Sequence, residues 1–581
     1  MMRAVFVLAA FLLGGCRKEQ VPVPVLAEEF VYQSLAFSPV SATFAGYHRH
    51  AGTPLDELLD DYSEQGLQRQ RAFYRGMMDR LARVNPGALS VQDRADYDIL
   101  TNQTNLALLE LDTIQSYRTN PTLYVELVGN GLFGPYSLEY AAPVQRFRHI
   151  ISRMEKIPAL LGQARRNLTA APEIWNRVAR QENEGNIALI DKTLRAACPA
   201  ALKDDFDRAA RTALDALRDF NVFLSRDLAG KTADWRLGGE RYARKFRHTL
   251  GTSAPPERLL ADAEAMLTEV RRQMFQIALP LHNRFYPQHK DPVDLNLIVG
   301  ETLDKIAQKR STPAAYFADA RRDLEEARRF VREKQFLPLP PRDNLQVIET
   351  PEFMRGIYAV GGFSPAPALE PHLGAHYWLT PIPPDWPKER IESKLREYNF
   401  YGLKLLTLHE AIPGHYVQFE YANDLEPKYR RLLRSVFGSG TYVEGWAVYS
   451  TEAMLDAGYL DHSPELRLTF LKQQLRMIAN AILDIRLHTM GMTDEQAMDL
   501  MINKTFQEKE EASAKLQRAK LSSCQLPTYF AGWRDWRRLL ELVKRERGAA
   551  FRLSAFHEEA LKQSAVPLPS LARILTGKDL D

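Results

Sequence analysis

The sequence predicts a mainly α-helical protein with a small β-sheet, and three observations carry that expectation. Apolar residues recur at helical spacing over most of the chain, as in Leu259, Ala263, Met266 and Val270 after Pro256, which lays them on one helix face. Between about Leu345 and Pro387 the pattern changes to short aromatic and β-branched runs bounded by Pro and Gly, among them Ala375-His376-Tyr377-Trp378-Leu379-Thr380, and these read as strands. Helical spacing then returns to the end of the chain. With 581 residues, 45% hydrophobic, 26% charged and a net charge of +3, the composition is that of a large globular protein. Basic runs such as Tyr429-Arg430-Arg431-Leu432-Leu433-Arg434 alternate with apolar positions, so they read as solvated helix faces, and no nucleic-acid partner is expected.

Taken in order, Arg3 precedes an apolar run from Ala4 to Leu13, which is too short to span a bilayer and suits a signal peptide over residues 1–15. Leu13-Gly14-Gly15-Cys16 resembles a bacterial lipobox, in which Cys16 becomes the lipidated first residue. The expected location is therefore the bacterial cell envelope, on the periplasmic or extracellular face, with acyl chains as the membrane contact. Residues 16–27, with Pro22 and Pro24, read as a lipidated tether. Residues 28–340 read as a helical lobe of long amphipathic helices, one of them opened by Pro256 with Ser253 as its cap. His48 and His50 fall in a loop with no carboxylate placed to complete a site, and are taken as surface residues. Gly230-Lys231-Thr232 reads as a turn, because Ser225 stands where a phosphate loop needs its first glycine. Leu337-Pro338-Leu339-Pro340-Pro341 breaks the pattern, and residues 341–581 form the metal-bearing lobe. His372 and His376 have i,i+4 spacing, but a strand would separate them. Ser463-Pro464-Glu465 starts a helix that Gly491 stops, Thr493 to Gln496 form a capping box, and a charged helix runs from Phe506 to Lys520. Cys198 and Cys524 are free to pair, though sequence does not establish that they do.

The chemistry concentrates between Thr407 and Glu452. Thr407-Leu408-His409-Glu410-Ala411-Ile412-Pro413-Gly414-His415-Tyr416 is followed by Val443-Glu444-Gly445-Trp446-Ala447-Val448-Tyr449-Ser450. Hydrolytic zinc takes three His or Glu ligands, and a further carboxylate serves as base. His409, His415 and Glu444 are the expected ligands of Zn2+, with Glu410 the base. In H-E-x-x-H the histidines lie four apart on one helix face, but here they are six apart. Six residues of regular helix turn through roughly 600°, leaving the second histidine about 120° off the first. Pro413 returns no N–H to His409 and Gly414 tolerates almost any backbone angle, so a broken or bulged helix is expected. The alternative is an ordinary helix ended by Pro-Gly. His557-Glu558, with no second histidine at such a spacing, reads as structural.

These blocks resemble a bacterial family of uncharacterised, often lipid-anchored proteins regarded as candidate zinc peptidases, with H-E-A-x-P-G-H and E-G-W-A-x-Y-S as hallmarks. The second is also similar to the N-E-G-F-A block of gluzincin aminopeptidases, which implies Glu444 as third ligand. Ser41 to Gly46, Asp484 to His488, Phe556-His557-Glu558 and Pro567-Leu568 look like further family landmarks, so the resemblance covers nearly the whole mature chain. It implies a gluzincin-like helical fold with a small sheet beside a deep cleft, and zinc-dependent hydrolysis of a peptide substrate. Tyr529 is then the donor to the oxyanion of the tetrahedral intermediate. Arg518 would hold a substrate carboxylate, and His488, one turn from Asp484, would contact substrate or support a ligand. A strand bordering the metal cleft could pair with an extended peptide. Two departures stand out: many relatives have a histidine at Tyr416, and an acid at Thr451. The rival readings are a non-catalytic peptide-binding lipoprotein and a metal-dependent hydrolase of another amide. A serine hydrolase is disfavoured, because no G-x-S-x-G elbow occurs.

Overall fold

The computed structural model describes residues 21–289, 294–355 and 360–580, and it is mainly α-helical with small sheets, as the periodicity predicts. The expected signal peptide and Cys16 lie outside the described residues. The first principal helix, α1 (Val23–Phe37), overlaps the expected tether. Pro22 and Pro24 sit at its start, where a missing N–H costs nothing. Val23, Leu26 and Ala27 are already core residues, so the tether reading is corrected for residues 23–27.

Helix α2 (Val91–Leu109) is capped by Ser90, whose hydroxyl accepts the Asp93 N–H. Helices α3 (Thr122–Ser137), α4 (Pro143–Asn167) and α5 (Lys203–Val222) enclose a subsidiary core drawn from Tyr124 to Leu228. After α6 (Gly238–Leu250), α7 (Pro256–Phe285) starts with Pro255 in the capping position, not Ser253 as expected. Helix α8 (Leu295–Ile306) lies against α7. The main core takes residues from Val23 to Ala572, on both sides of the Pro340 break.

Strands β1 (Leu345–Glu349), β2 (Gly361–Ser364) and β3 (Ala375–Leu379) form a sheet in the order β1-β3-β2. β1 and β3 run parallel, and β2 pairs antiparallel with β3. His376 lies in β3, paired in register with Gln346 and Ser364, whereas His372 precedes the strand. The central strand is buried, and Tyr377 Oη lies 3.3 Å from Thr407 Oγ1, which ties the sheet to the helix that follows.

That helix is α9 (Phe400–Glu410), succeeded by α10 (His415–Ala422), α11 (Lys428–Val436), α12 (Gly440–Asp456), α13 (Pro464–Thr489), α14 (Lys509–Leu521) and α15 (Pro527–Arg547). The expected stop near Gly491 and the Thr493 capping box both occur. The charged helix begins at Lys509, three residues later than expected. α12 packs along α15, and α13 along α7.

Two expectations about charged residues are corrected. Arg434 on α11 is fully buried, not on a solvated face. Its Nε donates to Asp96 Oδ1 at 2.8 Å, and Arg430 Nε donates to Asp96 Oδ2 at 2.6 Å. Asp96, on α2, is itself fully buried. Replacing Asp96 with Asn leaves the guanidiniums without their shared counter-charge, and a loss of about 3–5 kcal/mol is expected. Denaturant unfolding measures it, and a change within about 0.5 kcal/mol, as for an ordinary surface substitution, would show the pair to be unimportant.

His48 is the second correction. Its Nδ1 lies 2.8 Å from Asp56 Oδ2 and its Nε2 3.0 Å from Glu370 Oε2, with Tyr140 stacked on the ring. Burial opposes protonation of this histidine, but its two carboxylate partners outweigh burial and raise its pKa. Cys198 and Cys524 are unpaired.

Candidate metal centre

Helix α9 begins where the Asn399 side chain accepts the Tyr401 and Gly402 N–H groups, and it ends at Glu410. The backbone then turns through Ala411 to Gly414, and α10 starts at His415. The helix is therefore broken rather than bulged. Gly414 N–H returns to Leu408 O at 3.0 Å, and a Cβ on Gly414 would lie 1.9 Å from His409 O. No residue with a side chain fits there. From α12, the indole N–H of Trp446 donates to Pro413 O at 2.9 Å and braces the turn.

The break brings the two imidazoles onto one carboxylate. His409 Nε2 lies 3.6 Å, and His415 Nε2 3.5 Å, from Glu444 Oε2. Glu444 projects from the second turn of α12, one turn deeper than expected. Two donors each about 2.1 Å from a tetrahedral ion are roughly 3.4 Å apart, so these separations fit zinc. Glu444 Oε2 is buried and finds no hydrogen-bond partner among the described residues. Burial alone would raise this carboxyl's pKa, but the two imidazoles outweigh it and hold the group well below the usual carboxylate range. The residues present thus fit a divalent cation.

Glu410 and Tyr529 both line an adjoining cavity that also takes residues from α13 and α14. Burial pushes the Glu410 pKa up to about 7; Glu444 adds to this, while His409 and Arg518 oppose it. Tyr529, in the first turn of α15, lies nearly parallel to the His409 ring at 6.4 Å. Its position is set by glycines: a Cβ on Gly445 of α12 would be 2.4 Å from the Gly532 carbonyl carbon, and one on Gly532 would be 2.1 Å from Thr441 O. Only glycine at both positions lets α12 and α15 approach closely enough to set Tyr529 beside Glu444. Gln525, which the sequence reading did not single out, links the parts. Its Nε2 lies 3.4 Å from Glu444 Oε1 and 3.5 Å from Tyr529 Oη, and its Oε1 accepts from Arg518 at 3.2 Å. Its spacing of four before Tyr529 was the available signal.

The remaining sequence candidates separate. Tyr416 turns away from the centre, with its hydroxyl donating to Arg342 O at 2.8 Å. Thr451 lines the cavity, yet its hydroxyl is committed to Ala447 O at 2.7 Å. His415 Nδ1 is buried and finds no acceptor among the described residues, so the partner that usually orients a ligating histidine is missing there. His488 does not reach the cavity. It is buried against Tyr242, with its Nε2 2.9 Å from Ser522 O, while Asp484 accepts the Cys524 N–H at 2.9 Å. The expectation of substrate contact by His488 is corrected: this pair holds the segment leading to Gln525 and Tyr529. His557 is structural as expected, buried between Tyr449 Oη and Phe336 O. A second cluster, His282, His289 and Glu301, joins α7 to α8. There His282 Nε2 is already hydrogen-bonded to Glu301 at 2.6 Å.

A broken helix presenting two histidines, a glutamate from a second helix and a further glutamate outside that donor set define a large helical protein with a candidate metal centre. The chain belongs to the family described as "Bacterial protein of unknown function (DUF885)", which it matches over residues 39–575. It is similar to the solved structure of "a putative lipoprotein of unknown function from Shewanella oneidensis", with 28% identity, a TM-score of 0.78, and 95% of this chain and 99% of that one covered. The structure of "the putative lipoprotein from Colwellia psychrerythraea" shares the fold at 16% identity and TM-score 0.77, covering 96% of this chain and 98% of that one. None of the curated proteins matches the chain.

Proposed function

We propose that the protein is a zinc-dependent peptidase. The observation that carries this reading is the set of donor separations at His409, His415 and Glu444, with Glu410 beside them and outside the donor set. Bound there, Zn2+ would supply a Lewis acid that polarises the scissile carbonyl and makes water acidic enough to lose a proton near neutrality. Glu410 takes that proton on its carboxylate and passes it to the leaving amine. Tyr529 Oη donates a hydrogen bond to the oxygen on which negative charge develops. β2 is an edge strand whose Gly361 lines the cavity, so an extended peptide can add to it by main-chain hydrogen bonds. That favours peptides over compact amides.

Metal analysis together with a peptide library tests the reading. Purified protein is expected to hold one zinc per chain and to cleave library members, and removal of the metal should stop cleavage. Protein that binds zinc and peptides but cleaves none would favour a non-catalytic peptide-binding lipoprotein, and cleavage confined to non-peptide amides would favour the other hydrolase reading.

The Shewanella relative is described as "a putative lipoprotein of unknown function", and Leu13-Gly14-Gly15-Cys16 resembles the matching signal here. No described helix is long and apolar enough to cross a membrane. Lipidation at Cys16 is accordingly proposed as the anchor, with the protein in the cell envelope. Cys16→Ala should release the protein from membranes or block its processing, and unchanged fractionation and processing would refute the anchor.

A further inference from the structure

Glu511, Lys515 and Arg518 recur at i, i+4 and i+7 along α14, so one face of that helix lines the cavity beside Glu410. Glu511 is engaged by Arg476 of α13. Arg518 donates to Gln525. Lys515 differs from both. It is 7% exposed, and among the described residues no hydrogen bond or ion pair engages its ammonium group. Burial, together with the cationic Arg476 and Arg518, presses its pKa well down, against the pull of Glu511 and Glu444. Lys515 lines the cavity and is not among the fully buried atoms left without a partner, so its amino group is open to the cavity, and a carboxylate brought there would favour its charged form and pair with it.

We propose that Lys515, with Arg518 one turn along, receives the C-terminal carboxylate of the substrate, making the cavity the binding site for the C-terminal end of a peptide. The proposal rests on the peptidase reading and gives it a direction along the substrate. Lys515 and Arg518 share this cavity with His409, Glu410 and Tyr529, so a peptide entering it from the metal centre meets their positive charge. The carboxylate proposed to meet it is the end of the peptide. An acidic side chain offers the same chemistry, and paired peptides separate the two sources.

The test is binding to full-length Glu410→Gln protein loaded with zinc, followed by calorimetry, so that the outcome does not depend on turnover. One pair of peptides differs only in a free or amidated C-terminus. A second pair, amidated, differs only in an internal Glu or Gln. The free acid is expected to bind about 10–100-fold tighter than its amide, the worth of one charged hydrogen bond. Adding Lys515→Met should bring that ratio near one, with zinc content unchanged, because the group that meets the carboxylate has been removed. Lys515→Gln serves the same purpose should Met disturb packing. Amides that bind as tightly as acids, a preference that survives both Lys515 substitutions, or the absence of any peptide binding would overturn the proposal. A preference that followed the internal Glu would overturn the C-terminal assignment. Wild-type cleavage of the library judges the peptidase reading separately, since carboxylate-dependent binding without cleavage would uphold the Lys515 receptor and sink the peptidase.

Discussion

Glu410→Gln is expected to lower turnover of a peptide library by about 10²–10⁴-fold, while zinc content and peptide affinity stay at wild-type levels. The substitution keeps the size and hydrogen-bonding shape of the side chain and removes only its capacity to carry a proton. Glu410 lies next to His409 in the chain but is not among the grouped donors, so the metal has no reason to leave. Its position in the cavity, where burial lifts its pKa to about 7, matches a group that must accept a proton and then return it. Tyr529→Phe is expected to act on turnover as well, but more mildly, because its hydroxyl matters only as the oxyanion forms. Wild-type rates in Glu410→Gln would refute the proton-transfer role and leave the metal site standing alone.

His415→Ala is expected to empty the metal centre, whereas Tyr416→Phe leaves it filled. Removing His415 leaves His409 and Glu444, and two protein donors rarely hold zinc against a chelator. Tyr416 points toward the chain before the sheet, where its hydroxyl meets Arg342 O and Asn344 Oδ1. Losing that one O–H, shared between the two acceptors, should cost about 0.5–1.5 kcal/mol of stability without releasing metal. Zinc measured per chain after dialysis against a chelator decides the matter. Full occupancy in His415→Ala would place the ligand elsewhere and overturn the register proposed here.

The sequence by itself determined the features that depend on near neighbours. Pro413 and Gly414 announced that no regular helix joins His409 to His415, because the missing N–H and the bare Cα act within a turn of the backbone. The helix start at Pro464 and the Thr493 capping box were legible for the same reason. Tertiary structure alone decided what depends on distant partners. Of the two carboxylates on His48, Asp56 stood close in the chain and was legible, whereas Glu370 lies 322 residues further on, and Arg434 looked solvated because Asp96 lies 338 residues back. His488 carried the residue type of a substrate contact, and only packing against Tyr242 and Ser522 removed it from the cavity. The glycines at 445 and 532 have meaning only where two helices cross, and that no described residue forms an ion pair with Lys515 depends on which segments pack around it. Local rules operate through bond angles and hydrogen bonds a few residues apart, whereas burial and charge pairing are set by whichever segments the main core brings together, and that core draws on the chain from Val23 to Ala572.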